Sequence, residues 1–164
     1  MWKVKKSKVH GSGVFATKNI NKNTRIIEYV GEKISKTEGN KRSEKRLIKY
    51  LNSQTDGSVY IFELNKKYDI DGSPEYNKAR YINHSCDPNC EVIIKKDQIW
   101  ISSIKKIKKN EELNYDYGFE FDKNDYKDHI CKCGSKKCVG YIISSNDWDK
   151  FLKYITKIIK KRSS

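Results

Sequence analysis

"ARYINHSCDPNC", residues 79–90, places Asn83, His84, Ser85, Cys86, Asp87, Asn89 and Cys90 directly behind the apolar pair Tyr81 and Ile82. So dense a run of polar and metal-capable side chains has three readings. It is a metal site, a nucleophile with its base, or a turn that is cysteine-rich. The rest of the chain decides among them.

A chain of 164 residues fits one domain, with at most a small appendage. Hydrophobic residues are 36% and charged ones 34%, and no apolar run approaches the roughly 20 residues that span a bilayer, so no membrane association is expected. The opening "MWKVKKSKVHGSG" is basic and has no apolar stretch behind it. A secretory signal is therefore not read, and an intracellular place, cytoplasmic or nuclear, is expected. In a reducing compartment five cysteines point to metal or catalysis rather than to disulfides. A monomer is expected.

The formal charge is +14. One reading is attraction to nucleic acid or to a nucleic-acid-bound protein. The other is a solvated lysine surface on a chain biased toward Lys, Asn and Ile. The scatter of the positive charges favours the second, since only "IKKIKKN" and the tail "KIIKKRSS" are local clusters.

The pattern predicts a strand-rich α+β domain. "HGSGVFATKNI" reads as a glycine turn entering a strand, and "TRIIEYVGEKI" as a strand bounded by Asn23 and Gly31. Ser35 followed by Glu38 is a capping-box signal for a helix, exposed over its first half and apolar only from Leu47, Ile48 and Leu51. "SVYIFELNKKYDIDG" predicts two strands joined at residues 65–67. "CEVIIKKDQIWISS" predicts a hairpin turning at Lys96 and Asp97. "EELNYDYGF" resumes extended structure. In "SSNDWDKFLKYITKIIKK" the helical spacing of Trp148, Phe151, Leu152, Ile155 and Ile159 predicts an amphipathic helix packed on the domain, with Ser144 and Asp147 as its capping box.

"CKCGSKKC" sets Cys131, Cys133 and Cys138 within eight residues, among lysines, glycine and serine that offer no apolar pocket. Three thiolates on a short loop suit a tetrahedral zinc site, which needs a fourth ligand from elsewhere. Cys86 and Cys90 are the remaining cysteines, and spacing does not choose between them. "YDYGF" supplies the second signal. Tyr115 and Tyr117, two residues apart on a strand, share a face. With Tyr29, Tyr60, Tyr76 and Tyr81 they could line an aromatic cavity that grips a cationic group; a tyrosine-rich core is the competing reading for any one of them.

Taken together, "HGSGVFA", "EYVGE", "ARYINHSCDPNC", "EELNYDYGF" and "CKCGSKKCVGYI" resemble, in order, the motifs of SET-domain protein lysine methyltransferases with a post-SET zinc motif. The resemblance covers residues 10–142. No long cysteine-rich segment precedes it, so the pre-SET module of many such enzymes is not expected. It implies small β-sheets around a knot-like crossing, a post-SET zinc loop and a C-terminal helix. The corresponding segments are a SET domain at 1–122, a zinc-binding segment at 123–143 and the helix with its basic tail at 144–164. It implies S-adenosylmethionine as methyl donor, held by His10, Gly11, Ser12, Gly13, Tyr60, Arg80, Asn83, His84 and Lys132. It makes Cys86 the fourth zinc ligand beside Cys131, Cys133 and Cys138, and Cys90 a bystander. Tyr76 departs from the family, where glycine often precedes the residue matching Asn77, and this puts the local loop geometry in question.

The chemistry that such a site must perform follows from the amine. A free lysine has a pKa near 10.4, so at neutral pH it is protonated and unreactive. A dry aromatic channel disfavours the ammonium form, and alignment of amine, methyl and sulfur supplies the rest. The resemblance assigns Tyr117 as the main catalytic residue, Tyr29 as a channel wall and Tyr115 as the residue that limits the product, mainly to monomethyl-lysine. The partner expected is a protein that presents a lysine. Asp122, Asp125 and Asp128 are candidates for an acidic peptide groove. A catalytically inactive SET-fold binding module and a basic zinc protein that binds nucleic acid are the alternatives.

Overall fold

The computed structural model describes residues 1–53 and 60–162. Along the chain run β1 (Trp2–Lys6), β2 (Ser12–Ala16), β3 (Arg25–Tyr29), β4 (Glu32–Ser35), α1 (Lys36–Ser53), β5 (Ile61–Glu63) and β6 (Tyr68–Asp71). Then follow β7 (Asn83–His84), β8 (Cys90–Lys95), β9 (Gln98–Ser103), β10 (Asn114–Tyr115) and α2 (Trp148–Arg162). The strands form four small sheets, ordered β1-β2, β10-β7, β3-β9-β8 and β4-β6-β5. Only the β7–β10 pair is parallel among them.

The β1–β2 hairpin was legible only in its second strand. The opening Trp-Lys-Val alternation hides in a lysine-rich stretch, yet it pairs residue for residue with β2. The stretch 24–34 is two strands rather than one. It divides beside Gly31, where an added Cβ would lie 2.2 Å from the Asp71 carbonyl oxygen, and its halves enter different sheets. The hairpin of β8 and β9 turns at Lys96 and Asp97, both at positive φ (50° and 57°), the backbone a two-residue hairpin requires. Between β5 and β6 the Asn65 side chain accepts from the N–H groups of Lys67 and Tyr68, closing the expected turn. Ser58 and Val59, read as the start of that first strand, lie outside the described residues.

Ser35 caps α1, its Oγ accepting from the Glu38 N–H at 3.2 Å. Glu38 does not complete the box; its carboxylate takes the Arg42 guanidinium at 2.8 Å. The first half of α1 is not simply solvated. Gly39 is buried because the Asp69 carboxylate occupies the space a Cβ would take, and Lys36 pairs with that same Asp69. Arg42 and Arg46 reach the buried Asp71 at 2.9 and 3.0 Å. Among the described side chains, charged ones seat this helix on β6. Ile48 is half exposed, and the side chains of Leu47 and Leu51 lie outside the described residues.

The main core gathers Val14, Ala16, Ile20, Ile82, Ile99, Ile101, Ile107 and Leu113, all essentially inaccessible. A second cluster joins Phe121, Tyr126, Ile143 and Phe151, with Tyr141, Trp148, Tyr154 and Ile155 packed against it. It binds α2 to the cysteine-rich segment. The helix starts later than its capping box suggested. Ser144 opens a short 3-10 turn (Ser145–Asp147), and α2 begins at Trp148. The Asp147 carboxylate instead accepts from the Phe121 N–H at 2.7 Å. Of the predicted stripe, Phe151 is buried and Trp148 and Ile155 are partly so, while Leu152 and Ile159 face solvent. The docking face is narrower than the sequence periodicity suggests, since it meets one small aromatic cluster rather than a sheet.

Candidate active site and metal centre

The opening stretch becomes β7 and the turn after it. In the parallel ladder Asn83 lies opposite Asn114, and His84 opposite Tyr115. Ser85 extends the contact, its N–H donating to the Tyr115 carbonyl at 3.1 Å. His84 is buried, and its Nδ1 accepts the backbone N–H of Tyr117 at 3.2 Å. A ring nitrogen that accepts leaves the other as the donor. Burial lowers the His84 pKa from its ordinary value, against the pull of nearby Asp116, so the ring is neutral. Its Nε2 faces the Cys86 sulfur at 3.5 Å.

Aromatic rings run on from this point in a chain. Ring centroids lie 5.1 Å apart for Tyr29–Phe62, 6.3 Å for Phe62–Tyr115, 5.0 Å for Tyr115–Tyr117 and 5.9 Å for Tyr117–Phe119. Tyr115 and Tyr117 are neighbours as expected, but strand geometry is not the cause. β10 ends at Tyr115, and the His84 imidazole rather than a ladder partner holds the next turn of chain. The Tyr117 hydroxyl donates to the Ile82 carbonyl at 3.0 Å, and that of Tyr29 to the Tyr60 carbonyl at 2.9 Å. The Tyr115 hydroxyl bonds to no described residue. Burial first, and neighbouring phenols second, raise the pKa of all three well above the usual tyrosine value, so the wall is uncharged. Phe62 escaped the sequence reading. It is an ordinary strand residue in "YIFE", and only the packing of β5 over β10 reveals it.

Next to this wall lies the glycine-containing turn. Gly11 is exposed at a φ of +42°, with open space where its Cβ would be. His10 and Ser12 are also exposed. The Asn83 amide nitrogen donates to the Ser12 carbonyl at 3.0 Å and to Glu112 Oε1 at 2.7 Å. Arg80 stacks its guanidinium 4.0 Å over the Tyr60 ring and donates to the Ser73 carbonyl. Its Nε is buried with no partner among the described residues. Lys132 is exposed between two cysteines. Tyr76 points to solvent without a positive φ, while Asn77 behind it is fully buried and ties Gly72 to Val30. The departure at Tyr76 thus leaves the loop intact.

Cys86, Cys131, Cys133 and Cys138 offer sulfurs that all lie within 4.8 Å of one another. Cys86 and Cys131 are 3.8 Å apart. Zinc–sulfur bonds of about 2.3 Å in a tetrahedron give edges of about 3.8 Å, so the donor set fits such an ion. Cys90 is elsewhere, 1% exposed in the main core and opposite Ser103 in the β8–β9 ladder. A thiol there is inert, its pKa pushed up to about 12 by burial. Asp122, Asp125 and Asp128 are exposed around the buried Tyr126.

Comparison with known proteins agrees with this arrangement. The SET domain family model matches residues 11–118. The chain is 39% identical over 137 residues to the human protein named Histone-lysine N-methyltransferase 2D, covering 81% of this chain and 2% of that one. It is 42% identical over 142 residues to "Histone-lysine N-methyltransferase, H3 lysine-4 specific" of Aspergillus oryzae, covering 84% and 11%. The protein of that name in Saccharomyces cerevisiae is 39% identical over 141 residues, 84% of this chain and 13% of the other. The chain therefore spans only a small part of the length of these relatives. It belongs to the SET-domain family.

Proposed function

We propose that this SET-domain chain methylates lysine side chains of a protein with S-adenosylmethionine as donor, mainly once per lysine, and that its substrate is a histone-type tail. The observation that carries the reading is the uncharged ring wall of Tyr29, Phe62, Tyr115 and Tyr117, which meets the Asn83–His84 strand at Tyr117. The names of the relatives support the substrate class.

S-adenosylmethionine, when bound, supplies a methyl group on a sulfonium. The residues fit such a group. The Asn83 amide oxygen accepts from no described residue, and the Gly11 backbone is uncovered. His10, Gly11, Ser12, Gly13, Tyr60, Arg80, Asn83, His84 and Lys132 would hold it. The neutral ring wall disfavours an ammonium and so releases the lysine amine as the free base. Tyr117, anchored on the Ile82 carbonyl, presents a fixed phenol oxygen, and Tyr29 is fixed by Tyr60. Tyr115 keeps a hydroxyl that no described residue takes up, available to hold the amine or a water and to resist its rotation for a second transfer.

Zinc, held by Cys86, Cys131, Cys133 and Cys138, would tie the segment 123–143 to the cofactor strand. The segments would be 1–122, 123–143 and 144–164, with Phe121 of the first packed in one aromatic cluster with Tyr126 and Ile143 of the second and Phe151 of the third. A basic tail would meet the exposed Asp122, Asp125 and Asp128, and a histone substrate implies a nuclear place. Labelled methyl transfer into histones and into a whole lysate, with mass spectrometry of the labelled lysines, tests the reading. Monomethyl-lysine on a histone-type tail is expected. Absence of both transfer and S-adenosylmethionine binding by the zinc-loaded protein would overturn it.

A further inference from the structure

Glu112 has been given no role so far, yet Ser7, Asn83 and the space beside Gly13 converge on its carboxylate. Ser7 donates its hydroxyl to both oxygens, at 2.8 and 3.0 Å. The Asn83 amide donates to Oε1 at 2.7 Å. Gly13 is a glycine for the same reason: a Cβ there would lie 2.3 Å from Oε1. Ser7 is itself tied to the turn, its N–H donating to the Gly11 carbonyl at 2.9 Å. No cationic side chain among the described residues pairs with Glu112. One carboxylate therefore joins the turn 7–13 to the strand that carries Asn83.

An asparagine amide has one end that donates and one that accepts, and either could face a ligand. Here both amide hydrogens have acceptors, Ser12 O and Glu112 Oε1. Turned over, the amide oxygen would meet a carbonyl and a carboxylate, two repulsive contacts. Ser12 alone, a single neutral acceptor, would hold the amide less firmly. The charged acceptor makes the stronger bond. The Asn83 oxygen is thereby directed away from the protein as an acceptor.

We infer that Glu112 is a positioning residue for the cofactor: it locks the Asn83 amide with its oxygen as the outward acceptor, and beside a carboxylate that no described cation neutralises, the cofactor donor that suits this oxygen is the charged α-ammonium of the amino-acid end. The inference rests on the reading that S-adenosylmethionine binds at Asn83. It concerns selectivity for that ammonium rather than the methyl transfer.

The test compares two ligands by calorimetry on the zinc-loaded protein, S-adenosylhomocysteine and its analogue with hydrogen in place of the α-amino group. The unmodified protein should prefer the amine-bearing ligand by about tenfold or more, the scale of one hydrogen bond to a charged group. Glu112→Met, which has no acceptor, should reduce that preference to about threefold or less. Glu112→Gln, which keeps an acceptor oxygen, should retain the larger part of it. An unchanged preference in Glu112→Met, or a loss in Glu112→Gln as complete as in Glu112→Met, overturns the inference. If Glu112→Met does not fold, the crystal structure of the unmodified protein with S-adenosylhomocysteine decides. The amide nitrogen must still face Ser12 and Glu112, and the oxygen the ammonium; a turned amide overturns the inference. Failure of the unmodified protein to bind either ligand would instead strike the underlying functional reading, and this inference with it.

Discussion

Tyr117 donates its backbone N–H to Nδ1 of His84 at 3.2 Å, so the proposed catalytic tyrosine is placed by a side chain of β7 and not by a sheet ladder. The far nitrogen of the same ring faces the Cys86 sulfur at 3.5 Å. A single neutral imidazole thus spans the four-cysteine group and the ring wall.

Removing the four-sulfur centre should therefore be felt at the ring wall. In Cys86→Ser the protein is expected to lose its zinc, one per chain, and to bind S-adenosylmethionine more weakly. Cys90→Ser is expected to keep the metal. It places a hydroxyl in the main core and should lower stability by about 1–3 kcal/mol instead. Metal analysis and thermal melts of the two variants check this. Loss of metal in Cys90→Ser with retention in Cys86→Ser would reverse the assignment.

Tyr117→Phe removes the hydroxyl that rests on the Ile82 carbonyl and little else. The variant should fold and bind S-adenosylmethionine normally, while kcat falls about a hundredfold, the usual scale for one positioned polar group. Single-turnover transfer measured beside cofactor affinity separates the two effects.

Tyr115→Phe should move the product from monomethyl-lysine toward di- and trimethyl-lysine, with little loss in the first transfer. Its hydroxyl has no partner among the described residues, whereas those of Tyr29 and Tyr117 are committed to carbonyls. Mass spectrometry of a saturated reaction reads the distribution. An unmodified protein that already yields trimethyl-lysine would remove Tyr115 from this role.

Asp71 anchors α1 and should show in the pH dependence of stability. Burial pushes its pKa up, but hydrogen bonds from Arg42, Ser73 and Arg46 outweigh burial and hold it at about 2, below the ordinary 3.8. A carboxyl with a depressed folded pKa stabilises the fold above its unfolded value and loses that contribution as pH falls through the folded one. The stabilisation is complete above about pH 4 and fades between there and pH 2. Asp71→Asn should cost about 1–3 kcal/mol at neutral pH, leaving Arg42 and Arg46 short of an acceptor. The gap from the unmodified protein should narrow on acidification, as urea melts at pH 7 and pH 2.5 would register.

Much of this was legible in the sequence because it is local. The turn at Lys96 and Asp97, the Asn65 turn and the Ser35 cap depend on neighbours within three or four residues. The four-sulfur group was half legible. Three cysteines in "CKCGSKKC" announce a metal loop, but Cys86 and Cys90 are equivalent in spacing. Only the fold separates them, by burying one in the core and turning the other toward the loop.

What was not legible required distant segments to meet. Phe62 and Glu112 carry no signal in their own stretches; each acquires meaning from a residue 20 or more positions away. The capping pattern at Ser144 and the apolar stripe of α2 misjudged the helix for the same reason, since Asp147 was taken by Phe121 and the docking face was set by a small aromatic cluster. The sequence by itself determined the strand-rich α+β class and the chemical types at the site, because periodicity and turn residues are properties of the chain, and its motif order carried the family resemblance that implied the small sheets. The tertiary structure alone decided which cysteine joins the other three, which tyrosine hydroxyl has no partner among the described residues and which way the Asn83 amide faces, because each depends on contacts between segments that the chain brings together only on folding.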